Sequence, residues 1–129
     1  MIERSSRPEC VLVVDDEPSI AEMAMEALLH AGYTAICALD AYSGIQALEQ
    51  RDDIDLLFTD IVMPGVDGFR LADMATSRRP GLRVLYTTGY VGLARELQAA
   101  GEIHGRILDK PYRPDVLISA VRDVLKEAA

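Results

Sequence analysis

Residues 56–65 read LLFTDIVMPG, an apolar run that ends at a carboxylate, Asp60, and then turns at Pro64 and Gly65. An apolar run of this length suits a strand inside a protein core. The carboxylate at its end does not, because burying a charge without a partner costs several kcal/mol or forces the group to take up a proton. We therefore expect Asp60 to end a buried strand at an edge of the fold where another group compensates its charge.

Short apolar runs and helical patterns alternate along the whole chain. The runs lie at 10–15, 33–39, 55–60, 82–87 and 105–109, and the helical patterns at 20–31, 41–50, 67–77, 91–99 and 117–125. Because each helix returns the chain to begin the next strand in the same direction, the pattern predicts a doubly wound α/β fold with a five-stranded parallel sheet. Ligands of such sheets bind beyond the carboxyl ends of the strands, which is where we expect Asp60.

Composition and charge exclude several classes of protein. With 129 residues, 50% hydrophobic and 26% charged, the chain has the size and composition of one globular domain. The net charge of −8 argues against nucleic-acid binding, and no apolar run approaches the roughly 20 residues of a membrane span. Residues 1–9 lack the apolar segment of a secretory signal, so we expect a flexible lead-in before a domain over 10–129, in a cytoplasmic protein. Cys10 and Cys37 lack metal-ligand spacing and are expected to be reduced and buried.

Charged and hydroxylic residues also lie at the ends of three other predicted strands, as Asp60 does at the end of the third. They are Asp15-Asp16-Glu17 after the first strand, Thr87-Thr88-Gly89 at the end of the fourth and Asp109-Lys110-Pro111 at the end of the fifth. Acids crowded at one edge repel each other and need a cation, and oxygen ligands without His or Cys favour Mg²⁺, with Mn²⁺ as a second choice. A metal, a carboxylate nucleophile, a lysine and a hydroxyl are the groups that phosphoryl transfer to an aspartate requires.

Four stretches, VLVVDDEP, LLFTDIVMPGVDGF, VLYTTGY and LDKPY, together resemble the receiver domain of two-component response regulators over about residues 10–127. The resemblance implies a flavodoxin-like (βα)5 fold with strand order 2-1-3-4-5. It implies a phosphoacceptor signalling domain, which assists its own phosphotransfer and slow dephosphorylation but is not otherwise an enzyme. Its phosphodonor would be a sensor histidine kinase or a histidine phosphotransfer protein, and its downstream protein is not identified. RRPGLRVLYTTGY is most similar to receivers of hybrid sensor kinases, so both an excised domain and a free-standing regulator stay open.

The resemblance also assigns roles to residues at the sheet edge. Asp60 would be the phosphoacceptor and a metal ligand, and Asp16 would bind Mg²⁺ directly together with the backbone carbonyl of Val62. Asp15 would assist through water or a second contact. Lys110 would pair with Asp60 before transfer and with a phosphoryl oxygen after it. The peptide bond before Pro111 would be cis, as X-Pro bonds can be at low cost.

The choice between the two adjacent hydroxyls is open on strand geometry alone, because neighbouring side chains of a strand point to opposite sides. The resemblance favours Thr88, which precedes a small residue, with Thr87 as the alternative. The family carries an aromatic switch residue three positions before the lysine, where this chain has Ile107. Tyr90, or a movement of the segment 89–104, would then have to serve as the switch.

Val62 and Tyr90 also flank the site at positions that tune entry of the hydrolytic water in the family. Structural alternatives remain for each acid or lysine: a solvated strand end for Asp60, helix capping for Asp15 and Asp16, and a plain surface position for Lys110. Ile107 keeps open a degenerate receiver that binds partners without phosphorylation. An aspartate-dependent phosphatase would need a second Asp two residues after its nucleophile at the end of the first strand. A flavin-binding module would need a hydroxyl-rich loop after that strand. The residues that follow the first strand here, DDEP at 15–18, fit neither class of protein.

Overall fold

The computed structural model describes residues 7–90, 92–101 and 106–127 of the chain. Its five strands form one parallel sheet in the order β2-β1-β3-β4-β5, as the sequence predicts. The strands are β1 (Cys10–Val14), β2 (Thr34–Ala38), β3 (Ile54–Asp60), β4 (Arg83–Thr88) and β5 (Arg106–Asp109). The helices are α1 (Pro18–His30), α2 (Ala41–Gln50), α3 (Gly68–Arg78), α4 (Leu93–Ala99) and α5 (Pro114–Lys126). Gly105, the expected first residue of the fifth strand, lies outside the described residues.

The two faces of the sheet are both buried, which explains the continuous apolar runs in the sequence. Alternate residues of β1 point to opposite faces, so Leu12 and Val14 pack with α2 and α3, whereas Val11 and Val13 pack with α1 and α5. The sheet therefore has helices on both faces, and its carboxyl edge stays open. No helix in the described part of the chain is long and apolar enough to cross a membrane.

The last residues of the expected lead-in contact the sheet. The guanidinium of Arg7 forms two hydrogen bonds with the carboxylate of Asp55, at 3.1 and 3.2 Å. The backbone N–H of Thr34 donates to the carbonyl of Glu9 at 2.9 Å. The first six residues lie outside the described part, so the flexibility of that stretch stays a prediction.

The two cysteines differ in exposure. Cys10 in the central strand β1 is fully buried, whereas Cys37 is exposed. The expectation that both are buried is thus wrong for Cys37. The reason is its position in β2, the outermost strand of the sheet, which has a neighbouring strand on one side only.

Two arginines hold helix ends at the amino-terminal edge of the sheet, opposite the carboxyl edge. The Arg79 guanidinium donates to the carbonyls of Leu48 at 2.8 Å and of Arg51, at the end of α2. Arg83 donates to the carbonyl of Val124 in the last turn of α5 at 2.9 Å. The last carbonyls of a helix lack intrahelical partners and carry partial negative charge, so these cations satisfy and stabilise them.

Candidate functional site

Three carboxylates meet at the carboxyl edge of the sheet. Asp60 is the last residue of β3, and Asp15 and Asp16 directly follow β1, its neighbour in the sheet. One oxygen from each of the three side chains lies within 4.8 Å of the others. Asp15 and Asp60 are buried and Asp16 is exposed, so the cluster opens to solvent on the Asp16 side.

Lys110 joins two of these acids. It follows β5, and its Nζ lies 2.8 Å from Oδ2 of Asp15 and 2.9 Å from Oδ2 of Asp60. Its side chain is only 13% exposed, so it is not a plain surface lysine. The bond between Lys110 and Pro111 is cis, as the resemblance implies. The structure thus brings together four of the residues singled out in the sequence.

Burial and charge act against each other in this cluster. Burial raises the pKa of Asp60 above its ordinary value, and the opposing hydrogen bond and charge of Lys110 do not fully cancel that effect. Burial alone would lower the pKa of Lys110, but its hydrogen bonds to Asp15 and Asp60, with their charges, outweigh burial and raise it. One ammonium thus contacts two of the three clustered carboxylates, and the site has negative charge to spare for a cation.

The donors fit a hard divalent ion. Mg²⁺ holds oxygen ligands at about 2.0–2.1 Å, so ligands on opposite sides of the ion are about 4.2 Å apart. The three carboxylates already lie within 4.8 Å of one another, so small side-chain movements bring them to one ion. Asp15 also accepts the backbone N–H of Glu17 at 3.0 Å, and Glu17 is the N-cap residue of α1. The N-cap residue of α1 is thus Glu17, and neither Asp15 nor Asp16.

The two adjacent threonines have different hydrogen-bond partners. The Thr87 hydroxyl donates to the carbonyl of Leu108 at 2.7 Å and ties β4 to β5. The Thr88 hydroxyl accepts the backbone N–H of Tyr90 at 3.2 Å, which leaves its own proton for another acceptor. Both side chains are buried. The hydroxyl of Thr88 is thus the one available to a ligand at the sheet edge.

Gly68 has a packing role that the sequence analysis did not assign. A Cβ on this residue would lie 2.2 Å from the carbonyl oxygen of Asp60, far inside contact distance. Its N–H donates to the carbonyl of Ile61 at 2.8 Å, and Asp67 caps α3 by accepting the N–H of Arg70. The start of α3 therefore rests directly on the end of β3, which fixes the backbone of Asp60. The signal in the sequence was the Asp-Gly pair shortly after the strand.

Tyr112 is a second residue whose role was not recognised. It lies two positions after Lys110, is buried, and packs edge-on against Phe58 with ring centroids 5.7 Å apart. Burial, followed by the charge of Asp15, raises the pKa of Tyr112 to about 12. The phenol thus stays neutral near pH 7, where it packs against Phe58.

The remaining residues of interest lie around the rim. Val62 is 39% exposed, and its N–H donates to Oδ1 of Asp60 at 3.3 Å. Tyr90 is 60% exposed and lines a cavity of about 220 Å³ together with Thr88, Lys110 and Arg95. Ile107 is half-buried in β5 and lies opposite Tyr86 of β4.

Comparison with known protein families gives one match over most of the chain. The model described as "Response regulator receiver domain" matches residues 11–122. This stretch includes all five strands of the sheet except the first residue of β1, Cys10, and all residues of the acidic cluster.

Curated relatives fall into two groups by length. The response regulator receiver protein CpdR of Brucella abortus is 30% identical over 115 residues, which are 89% of this chain and 95% of CpdR. The sensor kinase CckA of the same organism is 30% identical over 123 residues, but the match spans 12% of that protein. The transcriptional regulatory protein GlrR of Escherichia coli is 28% identical over 125 residues, and the match spans 28% of it.

Solved structures agree in fold. The receiver domain of NtrX from Brucella abortus superposes with a TM-score of 0.80 at 29% identity, covering 92% of this chain and 99% of that one. A CheY-like response regulator receiver domain protein from Methanospirillum hungatei also superposes with a TM-score of 0.80. It is 26% identical, and the match covers 92% of this chain and 94% of that one. The flavodoxin-like architecture expected from the sequence is thereby confirmed.

Proposed function

Since the chain belongs to the response regulator receiver domain family of two-component systems, we propose that it accepts a phosphoryl group on Asp60. The observation that carries the proposal is the contact of one lysine, whose side chain is 13% exposed, with two buried carboxylates, next to a third that is open to solvent. A structural ion pair would need one acid for one lysine. The excess of acids instead suits a site that binds a cation and then a phosphoryl group.

In the proposed reaction, a carboxylate oxygen of Asp60 attacks the phosphorus of a phosphohistidine. The new P–O bond forms as the P–N bond breaks, and the electron pair of the P–N bond leaves with the imidazole nitrogen. Lys110, now 2.9 Å from Asp60, turns to an oxygen of the transferred group and stabilises its charge. The hydroxyl of Thr88 donates its free proton to a second phosphoryl oxygen.

Asp15, Asp16 and Asp60 would hold the divalent ion, with the backbone carbonyl of Val62 as a further ligand. When bound, Mg²⁺ neutralises the excess negative charge of this edge and reduces repulsion between the acids and the incoming phosphoryl oxygens. Proposed ligation by Asp16 is supported by its place on the solvent side of the cluster.

Val62 and Tyr90 are proposed to control how water reaches the phosphoryl group. Both are exposed at the rim, and each has its backbone N–H bonded to a residue of the site, to Asp60 and Thr88 respectively. Their side chains would therefore change the lifetime of the acyl phosphate more than the rate of its formation.

The proposed phosphodonor is a sensor histidine kinase or a histidine phosphotransfer protein. CckA, a relative that contains a stretch similar to this chain, is itself a sensor kinase. Other relatives, such as GlrR, are transcriptional regulatory proteins, so the relatives do not point to one kind of downstream protein. A cytoplasmic location and the absence of further enzymatic activity are part of the proposal.

Incubation with acetyl phosphate and Mg²⁺ followed by intact-mass spectrometry tests the proposal. We expect one added phosphoryl mass, lost in Asp60→Asn and retained in Asp52→Asn, an exposed aspartate away from the cluster. A chain that stays unmodified while folded and bound to Mg²⁺ would instead be the phosphorylation-independent binding module. Continuous release of inorganic phosphate from a phosphomonoester would point to a phosphatase.

A further inference from the structure

Position 107 in β5 is occupied by an isoleucine, so the side chain that responds to phosphorylation lies elsewhere at this edge of the sheet. Ile107 is aliphatic and half-buried, so it has no ring that could change between two orientations at this place in β5. An exposed aromatic residue follows Thr88 by two positions at the same edge. It is Tyr90, which is 60% exposed to solvent.

Tyr90 is linked to Thr88 by a hydrogen bond. Its backbone N–H donates to the Thr88 hydroxyl oxygen at 3.2 Å, near the long end of the range for such bonds. A Thr88 hydroxyl that turns toward a phosphoryl group on Asp60 changes the position of this acceptor. The movement therefore reaches the backbone of Tyr90 directly, without any intermediate side chain.

The cavity beside Tyr90 has room for its ring. About 220 Å³ lies between Thr88, Gly89, Arg95, Asp109 and Lys110. A cavity of about 150 Å³ is known to hold a benzene molecule. The lining includes the cationic side chains of Arg95 and Lys110, and cations are attracted to the face of an aromatic ring. The flanking Gly89, and Gly92 with φ of +89°, allow backbone rotations on either side.

We propose that Tyr90 is the switch residue of this protein, and that its ring moves from solvent into this cavity when Asp60 carries a phosphoryl group. The proposal rests on the proposed phosphorylation of Asp60. Its consequence is the loss of an exposed aromatic side chain just before α4, so the surface offered to a downstream protein changes at that place.

A single tryptophan can report the movement, because the chain contains none. Tyr90→Trp is compared with Tyr42→Trp, a matched control in α2, where the native tyrosine is 72% exposed. The probe is Mg²⁺ with beryllium fluoride, which mimics an aspartyl phosphate. We expect the emission of Trp at position 90 to shift to shorter wavelength and to lose acrylamide quenching, with no change at position 42. Unchanged quenching at position 90, while the melting temperature rises with the mimic, would overturn the inference.

The native ring is followed by ¹⁹F NMR of 3-fluorotyrosine-labelled protein, with the Tyr90 resonance assigned by its loss in Tyr90→Phe. We expect this resonance to shift on addition of the mimic in the wild type and in Thr88→Ser, which keeps the hydroxyl, and to shift less in Thr88→Val at mimic concentrations that saturate each protein. A full shift in Thr88→Val would refute the coupling through the hydroxyl. If the mimic does not raise the melting temperature of the wild type at all, the phosphoacceptor proposal fails, and the inference with it.

Discussion

Gly68 lies so close to Asp60 that a single methyl group on it would sit 2.2 Å from the Asp60 carbonyl oxygen. Both partners in this contact are backbone, so neither can move aside by a side-chain rotation. We expect Gly68→Ala to lower the free energy of unfolding by about 2–3 kcal/mol, because overpacking forces a backbone shift. The rate of phosphorylation by acetyl phosphate should fall as well, since the shift displaces Asp60. Gly81→Ala is the control, because a Cβ there meets no atom within 4 Å. Equal stability of the two variants in urea would contradict the packing described.

Mg²⁺ should stabilise the folded protein, because an ion that binds only the native state shifts the unfolding equilibrium by mass action. The gain is about 2.7 kcal/mol when the free ion is about 100 times its dissociation constant. Asp16→Asn should melt at a higher temperature than the wild type without metal, because it removes repulsion, and should lose most of the response to Mg²⁺. Thermal melts with and without Mg²⁺ measure both effects, with Asp52→Asn as control. A melting temperature of the wild type that ignores Mg²⁺ would rule out the metal site.

Removal of the Lys110 ammonium should leave the buried carboxylates of Asp15 and Asp60 without their positively charged partner. Breaking a buried pair in this way is costly, and we expect Lys110→Met to lose about 3 kcal/mol of stability in metal-free buffer. Mg²⁺ should restore part of this loss, since it supplies positive charge to the same carboxylates. Urea unfolding with and without Mg²⁺ measures the difference, and Lys126→Met, at the exposed end of α5, is the control. A metal-free Lys110→Met variant as stable as the wild type would disprove the proposed balance of charges.

The raised pKa of Asp60 sets a direction for the pH dependence of stability. A carboxyl group whose pKa is higher in the folded state favours folding when protonated, so its contribution is full below the unfolded pKa of about 3.9 and is lost as the pH rises through the folded pKa. Asp60→Asn should therefore be more stable than the wild type near neutral pH without metal. That advantage should shrink as the pH falls toward about 4. Urea unfolding of both proteins across this range is the measurement, and an advantage that grows on acidification would show the opposite shift.

Arg79 should matter for stability and not for phosphorylation, since it lies at the edge opposite Asp60. Arg79→Met leaves the carbonyls of Leu48 and Arg51 without their charged donor, which should cost about 1.5–3 kcal/mol. The neighbouring Arg78 makes one exposed ion pair with Glu49, so Arg78→Met should cost less than about 1 kcal/mol. Stability is measured in urea and phosphorylation by mass spectrometry. A large loss of phosphorylation in folded Arg79→Met would show that the two edges are coupled.

The sequence was sufficient to predict the fold and the cluster of acids, because both depend on local patterns of residues. Apolar runs such as 10–15 and 55–60 identify buried parallel strands, and parallel strands bring their carboxyl ends to one edge. Asp15, Asp60 and Lys110 could therefore be placed together although they are far apart in the chain. Their contacts in the structure follow from that topology.

Side-chain and backbone contacts between distant segments could not be predicted from such sequence patterns. The hydrogen bonds of Arg79 to the end of α2 depend on how α2 and α3 lie side by side, which the sequence pattern does not contain. The exposure of Cys37 depends on β2 being the outermost strand, whereas its apolar neighbours indicate burial. The role of Gly68 depends on the close approach of α3 to the end of β3.

Thr87 and Thr88 carry the same chemical group, and only their order along β4 decides which hydroxyl holds the neighbouring strand and which retains a free proton. A one-residue insertion or deletion within β4 would turn each side chain to the opposite side and exchange these two tasks. Length changes in this strand should thus impair signalling more severely than conservative substitutions of either threonine. Libraries that include insertions and deletions would reveal this sensitivity, which substitution scans alone would miss.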